Sequence, residues 1–117
     1  MGVGTELWTR DTGDLAPLLP RADEWEEDEG LFEFADDDER FLLTVAAPEE
    51  ADPAEADPAL TQLEPGVRYR IGIELEPSAP EGAEAWTLLL ETMESLGRAL
   101  GGVGLDPDTG HARHFGR

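Results

Sequence analysis

The chain has no cysteine and no lysine, and only two histidines in 117 residues. Without thiols there is no disulfide and no thiolate centre. Two histidines alone cannot build the common structural zinc patterns. No apolar run approaches the 18 residues of a membrane-crossing helix. The opening Met-Gly-Val-Gly-Thr-Glu lacks the basic and apolar regions of a signal peptide. Thr5 stands one place early for a myristoylation signal. Gly-x-Ser-x-Gly, the P-loop and Gly-x-Gly-x-x-Gly are all missing. Carboxylate pairs occur everywhere in so acidic a chain, so they single out no hydrolase. The expectation is one cytoplasmic domain over residues 1–117, not an enzyme, with no cofactor and no membrane.

What is present is acid. There are 28 Asp and Glu against 8 arginines, a net charge of −20. Residues 23–57 hold 16 acids and one base, Arg40, a net of −15. Residues 67–117 hold 8 acids and 5 bases, a net of only −3. Such a field repels nucleic acid and anionic membranes and attracts basic proteins or cations. A salt-adapted or compositionally biased proteome also produces acidic chains. It would spread the acid over the whole surface, and here it is gathered.

Hydrophobic residues make up 39 % of the chain and fall into periodic segments, which argues for a folded core. Residues 5–10 alternate weakly as a short strand. Asp14 caps a short helix through Leu15, Ala16, Leu18 and Leu19, stopped by Pro20. Leu31-Phe-Glu-Phe-Ala35 and Phe41-Leu-Leu-Thr-Val-Ala46 form a hairpin. Its turn is the acidic run Asp36, Asp37, Asp38, Glu39, and Phe32, Phe34, Phe41, Leu43 and Val45 share one face.

Glu50-Ala-Asp-Pro-Ala54 repeats at once as Glu55-Ala-Asp-Pro-Ala59, so residues 48–66 read as an acidic, Pro/Ala-rich surface loop. A helical turn is expected within it near residues 58–63. Val67, Tyr69, Ile71, Ile73 and Leu75 alternate with Arg68, Arg70, Gly72 and Glu74, as in a strand with one wet face. Ser78-Ala-Pro-Glu81 fits a capping box. From it a helix runs to about Leu100, with Trp86, Leu89, Leu90, Met93, Leu96 and Leu100 as its core stripe. Gly101-Gly102 ends the helix, and a short strand follows. Residues 111–117 read as a flexible basic tail. The order predicts an α+β two-layer sandwich: a mainly antiparallel sheet with one long and one short helix on one face, ferredoxin-like with an extra strand or irregular edge.

Metal chemistry finds little support. Asp106-x-Asp108-x-Gly110 has glycine at the fifth place of a calcium loop, where an oxygen ligand belongs, and Arg117 where the closing Glu belongs. His111 and His114 could chelate with Asp108 on a helix, but they sit in a glycine-flanked tail. No metal site is expected.

Arg70-Ile-Gly-Ile-Glu-Leu-Glu-Pro77, the helix after it, and Leu100-Gly-Gly-Val-Gly-Leu-Asp-Pro-Asp-Thr-Gly110 resemble small bacterial proteins grouped as immunity proteins or left uncharacterised. The likeness covers roughly the last 40 residues. It implies an α+β domain that binds and blocks a partner toxin. The residues themselves point to a compatible surface: the acidic ribbon and loop of residues 23–57, with aromatic anchors beside the charge. The partner expected is a basic protein, a toxin such as a nuclease or another nucleic-acid-binding protein, with no direct contact to nucleic acid. Trp25, Asp36, Asp37, Asp38 and Glu39 are the expected contacts.

Overall fold

A two-residue period in a strand sends successive side chains to opposite faces, and the central strand obeys it. The computed structural model describes residues 3–35, 40–76, 84–107 and 109–116. Among these, eight strands form one antiparallel sheet: β1 (Val3–Thr9), β2 (Glu26–Asp28), β3 (Leu31–Ala35), β4 (Leu42–Ala46), β5 (Glu49–Glu50), β6 (Tyr69–Glu76), β7 (Gly102–Leu105) and β8 (Ala112–His114). Two α-helices accompany it, α1 (Pro58–Leu63) and α2 (Glu84–Leu100). The spatial order is β2-β3-β4-β6-β1-β7-β8, with β5 also on β6. The fold is therefore α+β, as expected. The expected acidic turn at 36–39 and the capping box at 78–81 lie outside the described residues.

One sheet face is dry. Leu7 of β1, Ile71, Ile73 and Leu75 of β6, Leu43 and Val45 of β4, and Phe32 and Phe34 of β3 form a single buried cluster with α2. Phe32 stands opposite Val45 and Phe34 opposite Leu43, the hairpin pairing its alternation predicts. Helix α2 contributes Ala85, Leu88, Leu89, Met93, Leu96 and Leu100. Its buried stripe is thus rotated slightly from the one expected, and Trp86 and Leu90 sit half-buried at its flank. The short helix is a 3-10 turn, Ala16–Leu18. The Ser95 hydroxyl of α2 donates to the Leu18 carbonyl and ties the turn to the same side.

Two local devices shape the left half of the sheet. Glu29 and Gly30 join β2 to β3 with φ of 51° and 83°. Positive φ at both central residues is the twist a tight hairpin requires. Between β4 and β5 the register slips by one: Val45 faces Ile73, while Glu49, four residues on, faces Arg70, three residues back. The extra residue is a β-bulge around Ala47-Pro48, where a missing N–H costs no ladder bond. The slip turns Glu49 onto the face opposite α2, beside Arg70.

Two expected loops are structured. Residues 48–66 carry β5, a 3-10 turn (Pro53–Glu55) and α1. The helical turn expected near residues 58–63 is α1. Asp52 and Asp57, one from each repeat, accept from the N–H two residues on at 2.9 Å. The repeat is thus a pair of capped proline turns. Ala56 and Leu60 bury beside Trp8, Val67 and Val103 in a second, smaller cluster on the other sheet face. The expected tail is also an element: β8 pairs with β7, and Phe115 is 1 % exposed. Phe115 packs so closely on α2 that a Cβ at Gly97 would lie 2.6 Å from its carbonyl oxygen. A single aromatic after a polar run supplied the anchor that composition hid.

Candidate functional site

The face opposite α2 collects the carboxylates. Reading across the strands, Glu26 stands opposite Glu33, Glu33 opposite Thr44, Thr44 opposite Glu74, and Glu74 opposite Gly4. Alternation adds Asp28 on β2, Glu6 on β1 and Glu76 on β6 to this face. Like charges directly opposite each other across strands destabilise a sheet. Here Glu26 and Glu33 occupy such a pair, and no arginine stands in their row. Glu74 is held above its ordinary 4.5 by a hydrogen bond to Glu76, by that neighbour's charge and by desolvation.

One guanidinium is built into the same face. Arg70 lies between Trp8 and Glu49 in the register. Its Nε is 3.0 Å from Glu49 Oε1 and 3.3 Å from Glu6 Oε2, and Nη1 is 3.7 Å from Glu55 Oε2. Its guanidinium carbon lies 5.8 Å from the centre of the Trp8 ring. Hydrogen bonding and charge from Glu49, then charge from Glu6 and Glu55, raise its pKa against some desolvation. Three carboxylates from β1, β5 and the 3-10 turn thus converge on one arginine. Those from Glu49 and Glu55 tie their segment to Arg70 of β6.

One row along the strands, Gly72 replaces Arg70, and the face opens into a groove of about 590 Å³. Gly4 and Gly72 line it together with Glu6, Glu74 and Trp8. Glu55, Asp57 and Leu60 line it from the α1 segment, and Leu31, Thr44 and Ala46 from the hairpin. Leu31 is 37 % exposed, an apolar side chain on an otherwise acidic face.

Trp25 lies elsewhere. Its indole N–H donates to the Pro20 carbonyl at 2.7 Å, and its ring lies 5.5 Å from that of Phe34, on the α2 side. The structure brings it together with Phe34 and not with the acidic row. Asp36, Asp37, Asp38 and Glu39 fall outside the described residues. His111 is exposed before β8 and His114 is half-buried within it, so the two do not share a helix. Among the described residues no group of three or more His, Asp or Glu gathers as a metal site, and no helix is long and apolar enough to cross a membrane.

Glu6, Glu74 and Glu76 were absent from the expected contacts. The alternation of β6 places Glu74 on its wet face; what sequence cannot supply is that β6 lies beside β4, two strands from β3. No family model, curated protein or solved structure matches the chain.

Proposed function

We propose that this protein is a non-enzymatic, immunity-like binding protein that presents the acidic sheet face to a basic partner, such as a nuclease or another nucleic-acid-binding protein. The observation that carries this reading is the cross-strand row of Glu26, Glu33 and Glu74. It sets Glu26 directly beside Glu33, and Glu74 beyond Thr44, with no arginine in the row, an arrangement that costs stability until an opposing positive surface meets it. Asp36, Asp37, Asp38 and Glu39, which lie in sequence between the two strands that bear the middle of this row, are part of the proposed contact set. Trp25 holds the start of the ribbon against the core. A strand frame of the ferredoxin-like kind is part of the proposal. Its support is the order β7-β1-β6-β4, with α2 linking β6 to β7 across β1, as in a split β-α-β unit. The first crossover uses 3-10 turns and the β2–β3 meander in place of a helix.

Capture from a lysate of the source organism tests the reading, with washes at low and then high salt. A basic protein that binds at low salt, leaves with salt, and is lost from the variant carrying Glu26→Gln, Glu33→Gln and Glu74→Gln would support it. Equal capture by that variant would remove the face from the interface. The acidity would then be a property of the cell's ionic environment.

A further inference from the structure

We propose that the groove over Gly4 and Gly72 is the anchor site of the acidic face and takes the side chain of an arginine from the partner protein. The inference rests on the reading of the face as a basic-partner surface and names the group that enters it.

The template lies within the molecule. Arg70 shows what this face does with a guanidinium: carboxylates from neighbouring strands hold its edge, and the Trp8 ring lies beside it. The adjoining row repeats the surroundings without the arginine. Glu6, which also pairs with Arg70, and Glu74 stand on the flanking positions, and Asp57 lines the groove from the α1 segment. The position that would carry a side chain is Gly72, opposite Glu6. A Cβ on Gly72 would find its nearest neighbour only at 4.0 Å, and one on Gly4 would meet nothing within 4 Å. Space, negative charge and an apolar wall therefore coincide at one place. The exposed apolar wall is Leu31, above a floor in which Trp8 and Leu60 are themselves buried. Leu31 suits the methylene stem of a long cationic side chain, and the carboxylates suit its head. A planar fork that bonds two carboxylates at once favours arginine over lysine.

The decisive variant keeps the charge and removes the space. Gly72→Leu fills the groove, and a leucine at this open strand position leaves the sheet intact. Gly4→Leu does the same from β1 and serves where the first variant fails to fold. The probe is acetyl-Arg-Arg-Arg-amide, with its lysine counterpart, titrated at low salt and followed by amide chemical shifts. The expected result is shifts concentrated at Gly4, Glu6, Gly72 and Glu74. Filling the groove should weaken the arginine peptide about tenfold, as loss of an anchor pocket does. Lysine should bind about fivefold more weakly than arginine. Glu91→Gln, on the exposed side of α2, should change affinity by about twofold or less, although it alters net charge as much as Glu74→Gln does. Undiminished binding by both filled variants overturns the groove. If the peptide is then lost from the triple variant at Glu26, Glu33 and Glu74, the acidic face survives without it. Equal binding of the lysine peptide overturns the arginine assignment, and absence of any binding by the unaltered protein overturns the anchor site.

Discussion

The two faces of the sheet are built from the same strands and obey opposite rules. Under α2, every strand from β3 to β1 contributes an apolar side chain, and Leu7, Leu43, Val45, Ile71 and Leu75 are wholly buried. On the other face the same strands carry Glu33, Thr44, Glu74, Gly72 and Glu6. Its β1–β7–β8 end is covered by a small cluster around Trp8, Val103 and Leu60. The dry face maximises apolar contact, which is where folding free energy comes from. The wet face keeps unfavourable charge pairs and an unfilled groove. A face under selection for stability alone would place a base in the row between Glu33 and Glu74; here Thr44 stands there. Stability and the proposed recognition are thus divided between the two sides of one sheet.

Truncations measure how unequal the faces are. Phe115→Ala should cost about 3–5 kcal/mol and Leu89→Ala about 2–5 kcal/mol in chemical denaturation, as buried large-to-small changes. A loss below 1 kcal/mol for Phe115→Ala would return residues 111–117 to the status of a loose tail. Leu60→Ala, in the minor cluster, should cost about 2 kcal/mol, at the low end of the same range, because its surroundings are shallow and able to relax. A cost equal to that of Leu89→Ala would make the second face a core in its own right.

Acid and salt give the smallest effects and report on the wet face directly. Glu74 has a folded pKa above its ordinary value of 4.5. The folded state therefore holds this proton more tightly than the unfolded chain does. The stability it confers is fully present below about pH 4.5 and is lost as pH rises through the raised value. The melting temperature should rise by a few degrees on going from neutral pH toward pH 5, and should rise with added salt at pH 7 as the carboxylates are screened. Glu76→Gln removes the neighbour's charge and should flatten the acid response. An unchanged pH profile in that variant would mean that the Glu74–Glu76 pair does not set it.

Much of the dry face was legible in residue order. The period of two names Ile71, Ile73 and Leu75, and the period of 3.6 names Leu89, Met93, Leu96 and Leu100, and these sides meet; Val67 goes instead to the smaller cluster on the other face. The hairpin register followed from Phe32, Phe34, Leu43 and Val45 for the same reason. The wet face was legible only in part. Its charge was visible as the acidic stretch, but the cross-strand row also draws on Glu74, outside that stretch. Glu26 and Glu33 become one row with Glu74 only because β6 pairs with β4, a contact made 30 residues apart.

Apolar periodicity decides which side of an element is buried, because that choice is local: each side chain's direction follows from its neighbours along the chain. The α+β class, the approximate buried side of α2 and the excess of acid were therefore settled by the sequence alone. Which strands lie side by side is decided by long-range pairing. So is whether a Pro/Ala repeat finds a surface to cap, and whether one phenylalanine near the end of the chain finds the gap at Gly97. Only the tertiary structure could align Glu26, Glu33 and Glu74, set Arg70 among Glu6, Glu49 and Glu55, and leave open the space over Gly72. A groove is a property of what several strands fail to fill together, and no single segment carries it.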